Sequence, residues 1–151
     1  MNILVTLNRG YLYQLCVMLS SLIKSNPDTE FDVYVMNASL TEADFEAVRQ
    51  RIPADKCRLI DIKTGENEFA DAPITDRYPR EMYFRIFAAK YLPESLDRIL
   101  YLDPDIVVLG SVKELYETQL DGYYYAAASH VNEVMRMINK IRLGMDDVGP
   151  Y

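Results

Sequence analysis

Two carboxylates separated by a single proline end an apolar run of this chain. Asp103 and Asp105 are the only Asp-x-Asp pair in the sequence and lie within Arg98-Ile-Leu-Tyr-Leu-Asp-Pro-Asp-Ile-Val-Val. Mg²⁺ and Mn²⁺ prefer oxygen ligands and bridge phosphate oxygens, so the pair suits a divalent metal and an anionic substrate. A turn that ends a strand explains the same residues, because Pro104 cannot donate to a sheet ladder and aspartate is common in turns.

Arg85 lies in an unusual setting for a cation. In Met82-Tyr-Phe-Arg-Ile-Phe-Ala-Ala its neighbours are apolar all round, which predicts a largely buried helix. A buried guanidinium must find a carboxylate or a phosphate, and the next predicted strand ends in Asp103 and Asp105. We therefore expect these groups to meet. A structural salt bridge and a catalytic role for Arg85 are equally open from the residues alone.

The first turn, Asn8-Arg9-Gly10-Tyr11, stands where an α/β sheet holds a nucleotide. It lacks the Gly-x-Gly-x-x-Gly fingerprint, which disfavours a dinucleotide oxidoreductase. Asn8 offers an amide for a base edge, and Tyr11 offers a ring for stacking. Ordinary turn chemistry, with Tyr11 as a hydrophobic staple for the following helix, is the interpretation that these residues alone favour.

Strand and helix patterns alternate along the chain and must position these side chains. Such βα units predict a mostly parallel sheet with helices on both faces and a ligand site at the carboxyl ends of the strands. The polar loop at 63–79 is long enough to suggest a functional role. The predicted strands are 2–7, 31–36, 58–62, 98–102, 106–109 and 123–128, and the predicted helices are 12–26, 41–52, 82–92 and 132–141.

Composition sets outer limits on function. The 151 residues suit one domain, and the net charge of −7 disfavours a nucleic-acid partner, which needs a basic surface. No apolar run approaches the roughly 20 residues of a transmembrane segment and no leader pattern is visible, so we expect a cytoplasmic protein. Cys16 and Cys57 lack metal-ligand spacing and are expected to be buried thiols in a reducing compartment.

Taken together, the motifs resemble the family 8 retaining glycosyltransferases over essentially the whole chain. The resemblance rests on Tyr83-Phe-Arg85, on the Asp103 and Asp105 segment, and on the opening strand, turn and helix up to Ser21. It implies a GT-A fold, which is Rossmann-like with a mostly parallel central sheet and helices on both faces. It also implies a UDP-glucose or UDP-galactose donor, a saccharide acceptor such as lipopolysaccharide, and Mn²⁺ or Mg²⁺ as cofactor.

The same resemblance assigns roles to the catalytic and metal-side residues. Asp103 and Asp105 match the metal-binding acids, with Asp103 also near the ribose. Arg85 matches the arginine at the donor sugar and is the candidate catalytic residue. His130 follows a predicted strand and could line the acceptor side, although an ordinary polar strand end is the preferred interpretation.

The uridine side of the implied site comes from the first strand and turn. Thr6, Asn8 and Tyr11 match uridine-binding positions, with Tyr11 as the stacking ring. Asn8 stands where members of the family often have aspartate.

The resemblance also sets an expectation for the extent of the domain. Family members continue beyond the position of Gly149-Pro150-Tyr151 with further parts of the site, so we expect residues 1–151 to be the N-terminal nucleotide-sugar-binding part of a single glycosyltransferase domain, C-terminally truncated. A UDP-hexose-dependent transferase is the first hypothesis. A noncatalytic fragment that binds UDP and metal weakly, or only self-associates, is the second. Homo-oligomer formation stays open, as does a peripheral membrane position of the full-length protein.

Overall fold

The computed structural model describes residues 1–65, 68–69, 71–72, 80–128 and 141. The chain divides into two compact units, Met1–Glu117 and Thr118–Tyr151. The sheet and every candidate site residue that the structure describes lie in the first unit.

The first unit is built on a parallel sheet. Its strands are β1 (Asn2–Thr6), β2 (Phe31–Asn37), β3 (Cys57–Lys63) and β4 (Leu100–Tyr101), in the spatial order β3-β2-β1-β4. Each neighbouring pair is parallel, which confirms the predicted sheet. The chain builds outward from β1 to β3 and then returns to the other side of β1. The crevice between β1 and β4 is therefore a topological switch point, the usual ligand site of open α/β sheets.

Helical segments cover both faces of the sheet, as predicted, with α1 and α2 on one face and the 3₁₀ segment Arg80–Lys90 on the other. A 3₁₀ turn (Arg9–Tyr11) leads into α1 (Leu12–Ser25), α2 is Glu42–Arg49, and α3 is Lys113–Tyr116. Alternation along the strands sends successive side chains to opposite faces. Val33 and Val35 pack with Leu19 and Phe45 on one face, whereas Tyr34 belongs to a separate cluster on the other.

The predicted helix at 82–92 is instead a 3₁₀ segment, Arg80–Lys90, with non-helical dihedrals at Phe87 (φ −112°, ψ 19°). Only its residues Phe84 and Ala88 are buried, because these two positions alone pack against the sheet. Ile86 and Phe87 are 66% and 50% exposed. The prediction of a largely buried helix was therefore wrong. The apolar residues of this segment lie all round its axis, but the sheet covers only the side that bears Phe84 and Ala88.

The predicted strand at 106–109 was also wrong. The backbone N–H of Val108 donates to Ser21 Oγ at 3.0 Å, and the Val108 carbonyl accepts from Ser25 Oγ at 3.0 Å. The N–H of Val112 donates to Asn26 Oδ1 at 2.9 Å. Polar side chains of α1 and its end thus take the hydrogen bonds that a neighbouring strand would supply.

Within the second unit, residues 123–128 form no strand in the part of the chain that the structure describes. Apolar and aromatic composition predicted a strand there, but a strand also needs a neighbouring ladder for its N–H and C=O groups. His130 and nearly all of the predicted helix at 132–141 lie outside the described residues.

Both cysteines are free and buried, in line with the prediction of buried thiols. Burial raises the pKa of Cys16, and burial together with the nearby Asp32 charge raises the pKa of Cys57 to about 12. Across the described helices, none combines the length and apolar character needed to cross a membrane.

Candidate functional site

A cleft of about 390 Å³ lies at the carboxyl ends of β1 and β4. Every site residue predicted from the sequence contributes to its lining: Thr6, Asn8, Tyr11, Arg85, Asp103 and Asp105. Because parallel strands end at the same edge of a sheet, segments about 100 residues apart converge there. Glu81, Met82 and Tyr101 also line the cleft and were not predicted.

The turn after β1 forms one wall. Asn8 is the N-cap of the 3₁₀ turn, and its Oδ1 accepts a hydrogen bond from the Gly10 N–H at 3.0 Å. A Cβ at position 10 would lie 3.2 Å from that oxygen, so glycine suits the close approach. The amide oxygen of Asn8 is thus engaged within the turn. Its Nδ2 group makes no hydrogen bond with any described residue and is the end available to a ligand.

A second contact ties the same turn to α2. Arg9 Nε donates to Asp44 Oδ1 at 2.9 Å, and Asp44 Oδ2 accepts from the Thr41 N–H at 2.9 Å in a capping box. Hydrogen bonds from the Thr41 backbone and hydroxyl, followed by the charge of Arg9, lower the pKa of Asp44. Asp44 therefore stays ionised at neutral pH, and Arg9 serves to fix the turn.

The opposite wall centres on Asp103. Its Oδ1 accepts from the Tyr101 hydroxyl at 2.6 Å and from Arg85 Nη1 at 3.3 Å. The side chains of Arg85 and Asp103 are 36% and 52% exposed. The predicted meeting of Arg85 with the acid pair is confirmed for Asp103, whereas the predicted burial of Arg85 was wrong. Arg85 lies at the cleft surface because its 3₁₀ segment packs against the sheet through Phe84 and Ala88.

Tyr101 joins both walls. Its hydroxyl lies 3.3 Å from Thr6 Oγ1, and the Arg85 guanidinium lies over its ring at 4.9 Å from the centroid. Burial, and then the hydrogen bond to Asp103, raises the pKa of Tyr101 to about 12. The phenol is therefore protonated at neutral pH and donates a hydrogen bond to Asp103. Its one O–H group is then used, so the Thr6 hydroxyl must donate to the Tyr101 oxygen.

Sequence reasoning missed Tyr101 although a signal was present. Tyr101 ends β4 two positions before Asp103, and the carboxyl ends of parallel strands are where open α/β sheets bind ligands.

Asp105 is exposed and makes no hydrogen bond or ion pair with any residue that the structure describes. Asp103 Oδ2 likewise makes no hydrogen bond or ion pair with a described residue, since both hydrogen bonds to that carboxylate reach Oδ1. Two carboxylates are a common protein contribution to Mg²⁺ sites, which take their other ligands from phosphates and water. The donor set fits such an ion. No cluster of three candidate ligands occurs among the described residues.

Comparison with known proteins agrees with this architecture. Residues 2–146 match the family described as glycosyl transferase family 8. The lipopolysaccharide 1,2-glucosyltransferase of Escherichia coli strain K12 is 28% identical over 140 residues, which are 93% of this chain and 40% of that protein. The lipopolysaccharide 1,3-galactosyltransferase of Salmonella typhimurium is 28% identical over 120 residues, covering 77% of this chain and 34% of that enzyme.

A solved structure gives the same result at the level of the fold. The crystal structure of galactosyltransferase LgtC, in complex with donor and acceptor sugar analogues, superposes with a TM-score of 0.83 at 31% identity. The match covers all of this chain and 54% of the LgtC chain. This chain thus spans about half or less of the relatives it matches. Its parallel sheet with helices on both faces is the GT-A fold of LgtC. With a family match over residues 2–146, the chain belongs to glycosyl transferase family 8.

Proposed function

We propose that this chain is the donor-binding part of a retaining glycosyltransferase that moves a hexose from UDP-glucose or UDP-galactose to a saccharide acceptor. The observation that carries the proposal is the convergence of the six predicted donor-site residues on one cleft at the switch point of the sheet. The named activities of the Escherichia coli and Salmonella typhimurium relatives support a hexose as the transferred group and lipopolysaccharide as an acceptor class.

The uridine end of the donor is assigned to the end of β1 and its turn. Tyr11 offers an aromatic face for the base, and Thr6 lines the same cleft. Because the Asn8 oxygen is held by Gly10, its Nδ2 group is the part that would donate to a base carbonyl.

The diphosphate is assigned to the wall formed by Arg85, Asp103 and Asp105. Arg85 is the one cation among the described residues that line the cleft, and the chain carries a net charge of −7. An anionic diphosphate beside two carboxylates therefore needs a further positive charge. Asp103 and Asp105 would hold Mn²⁺ or Mg²⁺, which stabilises negative charge on a departing diphosphate when bound.

Arg85 has two roles open to it in this arrangement. In the structure its Nη1 neutralises Asp103 at 3.3 Å. With Nη1 on Asp103, the other guanidinium N–H groups of Arg85 would be placed to bind the donor's sugar or phosphate, because their fixed fork suits phosphate oxygens. Both the salt bridge and a catalytic role therefore belong to one residue.

Retention of configuration follows the family resemblance. In that stereochemistry the acceptor hydroxyl ends on the face of the sugar from which the diphosphate departs. The residues that line the cleft would serve the donor and leaving-group side of the reaction.

Calorimetric titration with UDP, in Mn²⁺ and in EDTA, tests the donor site directly. We expect metal-dependent UDP binding that Asp105→Ala abolishes. Asp97→Ala is the matched control, because Asp97 is also an aspartate in this region but is 95% exposed and does not line the cleft. UDP binding that ignores Mn²⁺, or that survives in Asp105→Ala, would contradict the proposed site. Hydrolysis or transfer assays with UDP-hexose then separate a transferase from a module that only binds the nucleotide.

A further inference from the structure

Tyr101 occupies the meeting point of the cleft without having an assigned role. It is the last residue of β4 and is paired in register with Leu4 of β1. Its ring packs against the core cluster that contains Tyr34, Met36 and Phe84. The ring is thus held by the core cluster, and the hydroxyl reaches the cleft.

Three cleft residues from three different segments contact this one side chain. Asp103 accepts from its hydroxyl at 2.6 Å, Thr6 Oγ1 lies 3.3 Å from the same oxygen, and the Arg85 guanidinium lies 4.9 Å from the ring centroid. Thr6 belongs to β1, Arg85 to the 3₁₀ segment, and Asp103 to the turn after β4. Tyr101 therefore links the uridine side of the cleft to its metal side.

The contacts with Asp103 are directional. Tyr101 and Arg85 both donate to Oδ1, whereas no hydrogen bond or ion pair from the described residues reaches Oδ2. A carboxylate held by two donors on one oxygen has its side-chain torsion fixed and presents the other oxygen. An oxygen so presented suits single-oxygen coordination of a cation, because no described partner must be displaced from it.

We propose that Tyr101 is a positioning residue for the divalent metal, which acts by orienting the Asp103 carboxylate so that Oδ2 faces the ion. The inference rests on the proposed metal-dependent donor site. Tyr101 itself does not ligate the ion. Outer partners of ligating carboxylates are worth about 10- to 100-fold in metal affinity.

The test is a Mn²⁺ titration of the 151-residue chain at saturating UDP, with free Mn²⁺ followed by electron paramagnetic resonance. Tyr101→Phe keeps the ring, its packing and its contact with Arg85, and removes only the hydroxyl. We expect the Mn²⁺ dissociation constant to rise roughly 10- to 100-fold. Any weak UDP binding that remains in EDTA should change little, because the hydroxyl acts through the metal ligand.

Tyr116→Phe provides the matched control. The Tyr116 hydroxyl lies 3.3 Å from both the Asn2 N–H and the Arg98 carbonyl, and Tyr116 does not line the cleft. The Arg98 guanidinium also lies over the Tyr116 ring, 6.0 Å from its centroid, as Arg85 lies over Tyr101. Both variants lose a hydrogen-bonded phenol, so both should lose some thermal stability. Only Tyr101→Phe should weaken Mn²⁺ binding.

The outcomes separate the two proposals. Wild-type chain that binds Mn²⁺ with UDP, together with an unchanged Mn²⁺ affinity in Tyr101→Phe, overturns the positioning role and leaves the donor site standing. Wild-type chain that binds no Mn²⁺ overturns both. If Tyr101→Phe does not fold, Tyr101→Met places another apolar side chain without a hydroxyl at this position, and it must then weaken Mn²⁺ binding in the same direction. Unchanged Mn²⁺ affinity in Tyr101→Met would then overturn the role.

Discussion

Asp103 and Asp105 are expected to differ in stability effects although both are proposed to bind the metal. Asp103 is hydrogen-bonded to Tyr101 and Arg85, whereas Asp105 is exposed and makes no hydrogen bond or ion pair with the described residues. Replacing each by alanine in metal-free buffer therefore removes a different number of hydrogen bonds within the protein. Asp103→Ala deletes two hydrogen bonds, and Asp105→Ala deletes no hydrogen bond or ion pair with a residue that the structure describes.

The size of the difference follows from the exposure of the partners. With Arg85 and Asp103 36% and 52% exposed, their ion pair contributes about 0–1 kcal/mol. A hydrogen bond to a charged group contributes about 1.5–3 kcal/mol when well buried, and half-exposed Asp103 places this bond near or below the lower end. Tyr101 also keeps the Thr6 hydroxyl as a partner. We expect Asp103→Ala to lower the unfolding free energy by about 1–2 kcal/mol, and Asp105→Ala to change it by less than about 0.5 kcal/mol.

Urea unfolding in EDTA measures these values, and Mn²⁺ titration with UDP measures the shared role. We expect both variants to lose Mn²⁺ binding, and Asp103→Ala alone to unfold at lower urea. Equal destabilisation by the two substitutions would refute the assignment of Asp103 as the anchored acid. A variant with either acid removed that still binds Mn²⁺ at wild-type affinity would refute the shared metal role.

Further predictions concern the turn, the capping box and the thiols. Asn8→Asp should raise the preference for UDP over CDP in competition binding, because a carboxylate can accept from the N3–H that uracil has and cytosine lacks; an unchanged ratio would remove Asn8 from the base site. The lowered pKa of Asp44 means that its stabilising effect is complete above the unfolded pKa and is lost as pH falls through the lower, folded value. Between roughly pH 5 and 2, unfolding free energies should therefore fall less steeply in Asp44→Asn than in the wild-type chain, and parallel curves would contradict this. With a pKa of about 12, Cys57 should resist iodoacetamide at pH 8 until urea unfolds the chain, whereas rapid labelling of the folded chain would show that it is not buried.

Local rules were sufficient for much of the fold. Runs of apolar residues predicted β1, β2 and β3 to within one residue at each end, because most residues of β1 and β2 are buried in the two core clusters of the sheet. The Thr41 and Asp44 pattern predicted the start of α2, since a capping box depends only on residues three positions apart.

Predictions failed where distant residues decide the hydrogen bonding or the packing. The segment around Val108 has a strand-like composition, but Ser21 and Ser25 bind its backbone from α1. Nothing near Val108 in sequence encodes that arrangement. Similarly, the apolar residues around Arg85 suggested burial, while the sheet accepts only Phe84 and Ala88.

The candidate site shows the same division. The acids, Arg85 and the first turn could be identified by residue type and order, because parallel strands bring their carboxyl ends together. The role of Tyr101 depends on the register that sets it opposite Leu4, which places its hydroxyl near Thr6. Register of a parallel pair about 97 positions apart is not readable from either segment alone.

The shortness of β4 has an energetic consequence for the cleft. Strand β4 is two residues long and lies at an edge of the described sheet, whereas β1 has five residues and β2 has seven. Because β4 is so short, few backbone hydrogen bonds break when it opens, and its local stability is therefore low. A ligand held between the turn after β1 and the acids after β4 binds only when β4 is docked. At a ligand concentration a hundred times the dissociation constant, docking gains about 2.7 kcal/mol. Bound nucleotide-sugar would thus stabilise the pairing of β4 with β1, and β4 would open locally more often once the ligand dissociates.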